Sequence, residues 1–473
     1  MSPLEQKFRI ALLFGAPVAI ICGQIATGSE FQAALLLAAA IFFAVLTFYL
    51  CGGSRSALGL LLLSWAAKTF LIAVPLKILF GESTTGTLHA PFATALVYAA
   101  GFATLAAAVL TQRVLPIPRV DGLLPEMTDR RFFLYIGLLL FGLGIAVPLI
   151  QGEREIGGGL IRAISVYRDA SIFCLIFWAA GTGRPRPYLH PLVLLVTLVS
   201  LTFGVLSTSK QGTLTPMLYY FAGVLLLRGF RDKWILVGAI VALGVFQLLL
   251  GPFSDYIRHA GGREGGNVER WKLITSSLVS EVSDSSQTRE FRASMRDYVV
   301  SRDDNYFEKD VGYLERFALI KTGDKLIAST ANFGTTGWST IWWDMTLFPP
   351  RLIYPGKPSR SSNNELARYA GQVGAEDMGT AVAYGLFPHL YNALGLTGVI
   401  GLGFVTMVPL LWWWRCFIGD SPFLTFKGIF FLCAAHHDIA EGTYATILGM
   451  FYTPVVLMIV FLPIATALKM LRR

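Results

Sequence analysis

Residues 31–50 read FQAALLLAAAIFFAVLTFYL, twenty positions without a single charge. An α-helix rises about 1.5 Å per residue, so this stretch is about 30 Å long, the thickness of a bilayer's hydrocarbon core. Inside lipid every backbone N–H and C=O must be satisfied within the segment, and a helix does that. The reading that follows is a membrane-spanning helix.

The pattern recurs along the whole chain. Of its 473 residues 54% are hydrophobic and 15% charged, with a positive mean hydropathy, a composition that excludes an ordinary soluble enzyme. Apolar stretches fall at approximately 10–27, 31–50, 57–80, 91–112, 132–150, 163–181, 189–206, 212–228, 233–252, 393–414, 423–437 and 446–468. The expected fold is therefore an all-α polytopic membrane protein with about twelve transmembrane helices. Eleven or thirteen remain open, since the eleventh span is short and the sixth follows charged sequence. The N-terminal bundle, 1–252, holds about nine of them, residues 253–390 form one large loop, and 391–473 carry about three more. Residues 1–9 lead into the first span without a small-residue cleavage pattern, so it reads as a retained helix.

Basic residues near span ends are held in the cytoplasm. With the N-terminus inside, one face collects 17 Lys and Arg against 6 Asp and Glu, while the large loop has 16 bases and 17 acids. The net charge of +9 is thus topological, and both termini are expected in the cytoplasm. No outward face carries a sustained positive field, which argues against a nucleic-acid partner. The five cysteines, Cys22, Cys51, Cys174, Cys416 and Cys433, lie in or beside spans without paired or metal-ligand spacing, so no structural disulfide is expected. Within the loop, 263–310 is polar, 313–328 has helical periodicity, and 338–347 is aromatic enough for the membrane interface. The loop reads as a compact helical cap.

Near its end, residues 348–371 read FPPRLIYPGKPSRSSNNELARYAG. Arg351, Lys357, Arg360 and Arg368 cluster among Pro349, Pro350, Pro355 and Pro358. Proline fixes φ and lowers the ordering entropy, so cations can be preplaced. Guanidinium groups grip phosphate in a bidentate manner, and a diphosphate is the natural target. The same bases could equally meet lipid headgroups or the loop's own acids.

Other charges fall where bulk water is scarce. Lys68 lies mid-way along the third span, and Arg162, Arg168 and Asp169 lie in the outer half of the sixth. Ionisable groups at such depth are costly and face a cavity or a partner. Two readings stand: a polar cleft opening outward, or structural pairing of Arg168 with Asp169 and of Lys68 with a carboxylate. Lys210 sits at the apex of the STSKQG turn, 207–212, a weak signal. His436, His437, Asp438 and Glu441 gather in AAHHDIAEGTY, expected at the outer mouth. Imidazole and carboxylate groups are the usual general bases. Neighbouring histidines point to different faces of a helix, which argues against a shared metal, and a plain interfacial loop is the alternative.

Three of these features resemble the bacterial O-antigen polymerase and ligase superfamily, often called Wzy-type. They are PRLIYPGKP at 350–358, the spacing of Arg360 and Gly371, and the STSKQG turn, where Lys210 stands in place of the arginine usual there. A single large external loop between late spans, followed by a glycine-rich helix at 391–404, is similar to the family plan. The resemblance implies a GT-C-like glycosyltransferase of the bacterial inner membrane with a periplasmic loop. Its implied reaction passes an undecaprenyl-diphosphate-linked glycan to a sugar hydroxyl on a second lipid-linked repeat unit. Membrane lipids surround it, and a chain-length regulator is a possible partner.

On that basis Arg351 and Arg360, helped by Lys210, Lys357, Arg168, Arg368 and Arg162, hold the diphosphate. His437 is the first candidate for the acceptor's base, with His436, Asp438, Glu365 and His389 behind it. No P-loop, dinucleotide fingerprint, hydrolase elbow or carboxylate metal site is present in the sequence, so no cofactor and no metal are expected. An O-antigen ligase, which delivers the glycan to lipid A core, is the nearest rival. A transporter or flippase would call for inverted repeats and interrupted midmembrane helices, and the sequence displays neither.

Overall fold

The computed structural model describes residues 11–117, 130–151, 168–206, 210–228, 305–309, 311–349, 362–374, 382–419, 426–436 and 438–452, with isolated positions at 237–238, 241, 354, 356–357, 376, 454–455 and 466. The described residues are helical, with no strands among them. Two compact units divide the chain, one formed by 1–126 with 304–473 and the other by 127–303.

In the first unit, α1 (Ala16–Ala26), α2 (Phe31–Leu50), α3 (Ala57–Leu79) and α4 (Pro91–Val114) follow one another. Helices α2 and α4 pack against each other, and both bury small residues, among them Ala33, Ala40, Ala44, Ala99 and Ala106. Small side chains let helix backbones approach closely, which serves association where lipid gives no hydrophobic drive. α3 is not a regular helix. It widens into a π-turn over Ala67–Leu71 before Pro75. Proline has no N–H and its ring crowds the carbonyl four residues back, here that of Leu71, so the turn relaxes at that point.

The second unit contains α5 (Arg130–Gln151), α6 (Ala170–Ala180), α7 (Pro191–Leu206) and α8 (Lys210–Arg228). Ile172, Leu175, Ile176, Val193, Val196 and Val224 form its core. The ring hydroxyl of Tyr220 donates to the carbonyl of Tyr188 at 3.0 Å, and Arg130 donates to that of Gly181 at 2.7 Å.

The first unit resumes with α9 (Leu319–Phe333), α10 (Trp338–Leu347), α11 (Ser362–Tyr369), α12 (Leu386–Ile418), α13 (Phe426–Ala435), α14 (Asp438–Glu441) and α15 (Tyr444–Gly449). The periodicity at 313–328 is realised as a 3₁₀ turn over Gly312–Phe317 followed by α9. On α10, Trp338, Trp342 and Met345 are exposed along one face while Ile341 and Asp344 are buried on the other, the distribution expected of a helix lying in a membrane interface.

Four helices, Phe31–Leu50, Ala57–Leu79, Pro91–Val114 and Leu386–Ile418, are long and apolar enough to cross a membrane. Shorter apolar helices occur at Leu13–Ala26, Ala170–Ala180 and Pro191–Gly204. Of the remaining expected spans, 233–252 and 446–468 lie largely outside the described residues. α12 starts seven residues before the expected 393 and is broken at Gly395, whose φ of 67° no L side chain adopts readily. The break deprives the carbonyls of Asn392 and Ala393 of helical partners. The N–H groups of Thr336 and Gly337 take their place at 2.9 and 2.8 Å, docking the start of α10 there.

Candidate functional site

At one end of the first unit, loop 81–90 and residues 305–333 are held by ionisable side chains that serve backbone groups. Asp324 is completely buried and accepts from the N–H of His89 at 2.6 Å, the N–H of Ala90 at 3.0 Å and the hydroxyl of Thr94 at 2.8 Å. It thereby caps α4, whose own N-cap residue, Ala90, has no side chain to do so. Glu82 accepts from the N–H groups of Glu308 and Lys309, and Glu315 from those of Tyr306 and Phe307, at 3.0–3.2 Å. Burial raises the Glu315 carboxyl, outweighing the two N–H bonds that favour its ionised form. Lys77 donates to the Ser83 carbonyl and the Thr87 hydroxyl while lying 4.6 Å over the Tyr306 ring. This end reads as architecture. At the other end Arg113 donates to the Leu50 carbonyl, and Arg415 to those of Gln112 and Arg113 at 3.4 and 3.5 Å.

A second network bears on the cation-rich segment. Asp344 of α10 and His389 of α12 are both wholly buried, with Asp344 Oδ2 and His389 Nε2 3.1 Å apart. The N–H of Tyr444 donates to His389 Nδ1 at 3.2 Å, so that nitrogen carries the lone pair and Nε2 carries the proton facing the carboxylate. The approach is close but not aligned as a full hydrogen bond, which makes it chiefly electrostatic. The hydroxyl of Ser362, first residue of α11, donates to the other Asp344 oxygen. Four distant stretches of chain therefore meet at one carboxylate and one imidazole. At the start of the same segment the Phe348 ring stacks on Tyr452, centroids 4.8 Å apart and planes at 17°. One end of 348–362 thus touches Tyr452 directly, and the other reaches Tyr444 through Asp344 and His389.

Between those anchors Lys357 donates to the carbonyl of Pro349 at 3.3 Å. Arg351 and Arg360 lie outside the described residues. Arg368 bonds the Asn364 amide oxygen and approaches Glu365 to 3.7 Å, and the Glu365 side chain is 40% exposed. Gly371 ends α11 with φ 67°, its N–H on the carbonyl of Arg368. That left-handed cap supplies a physical reason for the glycine placed eleven positions after Arg360.

The stretch 426–449 is broken twice, into α13, α14 and α15. His437 lies outside the described residues. His436 Nδ1 is 3.1 Å from the carbonyls of Leu432 and Cys433, which can only accept, so Nδ1 holds the proton and Nε2 the lone pair. Asp438 opens α14 and is partly exposed. Glu441, which closes α14, pairs with Lys68 at 3.0 Å. Lys68 stands in the π-turn, eleven residues from either end of Ala57–Leu79. Glu441 therefore lies beside the midpoint of the apolar helix Ala57–Leu79.

In the second unit Arg168 pairs with Asp169 at 3.0 Å and its guanidinium lies 5.8 Å over the Phe203 ring. Lys210 is the first residue of α8, and Arg162 lies outside the described residues. None of the five cysteines is in a disulfide, and no group of three metal-ligating side chains occurs among the described residues. Sequence reasoning gave Asp344 and Ser362 no role, and named Glu441 without one. A lone carboxylate in the aromatic run WSTIWWDMTL was the available signal for Asp344. Comparison with known families, curated proteins and solved structures yields no match to this chain.

Proposed function

We propose that this chain is a membrane glycosyltransferase that lengthens a lipid-linked glycan. It moves an undecaprenyl-diphosphate-linked oligosaccharide onto a sugar hydroxyl of another lipid-linked repeat unit, at the outer face of a bacterial inner membrane. On this reading the chain crosses the bilayer about twelve times, with both termini and the Arg113 and Arg415 end in the cytoplasm.

One observation carries the proposal. The cation-bearing segment is anchored at Phe348, whose ring stacks on Tyr452, and at Ser362, which bonds Asp344 beside the His389 ring that takes the Tyr444 N–H, and His436, Asp438 and Glu441 lie just before Tyr444 in the chain. Cations for a diphosphate and candidate bases for a hydroxyl are what such a transfer needs side by side. As the glycosidic bond breaks, charge grows on the departing diphosphate, and preorganised guanidinium donors stabilise it. Arg351 and Arg360 are assigned that task, with Lys357 helping.

Purified protein in vesicles, given the donor alone, should produce glycans of two or more repeat units. Arg351→Ala and Arg360→Ala should each lower the rate about 100-fold or more, the scale for losing one preorganised donor at a developing anion. Glycans that stay at one unit refute the polymerase. Extension only after lipid A core is added identifies a ligase. The π-turn in α3 and the break in α12 are also features of carriers, so movement of the lipid across the vesicle wall without lengthening would establish the transporter instead.

A further inference from the structure

Two backbone irregularities, unrelated in sequence, meet at one ion pair. The π-turn of α3 presents Lys68 from the middle of a span, and the chain break that follows α14 presents Glu441 to it. Irregular backbone at membrane depth is tolerated where it is enclosed by protein or lines a water-filled cavity, and single π-turns concentrate at functional sites. The side chains are 18% and 22% exposed, so both are held yet reachable. Three residues beyond Glu441, the N–H of Tyr444 is bound by His389, whose ring faces the carboxylate that also takes Ser362. The carboxylate of Glu441 is therefore tied on one side to Lys68 and, through the backbone, to the anchored end of the cation-rich segment.

We infer that Glu441 is the carboxylate that receives the acceptor hydroxyl's proton, with Lys68 as the residue that positions it; this rests on the glycosyl-transfer reading above. In the step, the acceptor O–H proton passes to a Glu441 oxygen. The oxygen's electron pair forms the new bond to the donor's anomeric carbon, and the bond from that carbon to the diphosphate breaks, its pair leaving on the diphosphate. Glu441 then yields the proton to water. His436 is the competing base, and its Nε2 lone pair makes it a fair control.

The test uses full-length protein in vesicles with a polyprenyl-diphosphate-linked oligosaccharide, reading chain length over time, and undecaprenyl diphosphate as the binding probe. Glu441→Gln should lower elongation about 100-fold or more, the range for a general base, with binding of the probe unchanged. Lys68→Met should lower turnover less, and His436→Gln should stay within about tenfold of wild type on the same scale. The double variant Lys68→Met with Glu441→Gln separates chemistry from structure. It should be as inactive as Glu441→Gln alone, whereas a purely structural pair would have its activity restored when both charges go. Should Glu441→Gln fail to fold, the double variant decides, since it leaves no unpaired charge. Elongation by Glu441→Gln or by the double variant within threefold of wild type overturns this inference and leaves the transferase standing. A wild-type protein that does not elongate overturns both.

Discussion

Removing the Asp344 carboxylate tests whether the buried pair with His389 holds the cation-rich segment in place. Asp344 and His389 are both 0% exposed, and the carboxylate also takes the Ser362 hydroxyl. Without that carboxylate two buried donors, the His389 Nε2–H and the Ser362 hydroxyl, are left without an acceptor, at about 1–3 kcal/mol each. For a large domain each kcal/mol moves Tm by roughly 2–4 °C, so losing about 2–6 kcal/mol in Asp344→Ala should lower it by about 4–24 °C. Asp344→Asn discriminates further. Its amide oxygen can keep Ser362, but its NH₂ then faces the Nε2 proton that the Tyr444 N–H imposes on His389. An opposed donor pair costs about 1–3 kcal/mol, so Asn should fall between Ala and wild type. Thermal unfolding of the detergent-purified protein by intrinsic tryptophan fluorescence provides the measurement. Asp344→Ala within 2 °C of wild type refutes the reasoning, and so does Asp344→Asn matching Ala.

Gly371→Ala places a β-carbon on a left-handed residue and should cost about 1–2 kcal/mol, read as a few degrees of Tm, with Gly371→Asn costing less. Equal losses for Ala and Asn would dismiss the cap as the reason for this glycine. Burial raises the Glu315 carboxyl, so the folded chain holds that proton more tightly than the unfolded one. Its contribution is then fully present below the ordinary carboxylate value and is lost as pH rises through the folded value. Glu315→Gln should accordingly remove part of the fall in Tm from mildly acidic to neutral pH, and an unchanged Tm profile would contradict this.

The spans at 31–50, 57–80 and 91–112 emerge as helices Phe31–Leu50, Ala57–Leu79 and Pro91–Val114, because apolar length is a local property that lipid alone rewards. The interruptions were harder to see. Pro75 and Gly395 are visible in the sequence, yet neither dictates a π-turn or a break without neighbours to take the freed carbonyls. Cross-chain partnerships were the least legible. Asp324 caps a helix more than 200 residues earlier in the chain, and Asp344 meets His389 and Ser362 through chain folding rather than periodicity. Lys68 stood out as a charge inside an apolar span and Glu441 as one of a group of histidines and carboxylates, and only their meeting in space pairs them.

The ionisable groups of the first unit differ in what their removal would leave behind, and that difference assigns their purpose. Asp324, Glu82 and Glu315 hold backbone N–H groups that would otherwise be orphaned away from water, so the fold itself explains their presence. Lys68 and Glu441 answer each other across two helices. Replacing a poorly solvated ion pair by apolar side chains of similar size is often neutral or stabilising by about 1–4 kcal/mol, because the desolvation of both charges is recovered. Lys68→Met with Glu441→Leu should then unfold at or above the wild-type temperature while losing activity. A lower Tm for that double variant would mean that the pair serves the fold. A protein made more stable and less active by the same change would show why a charge is kept in the middle of an apolar helix.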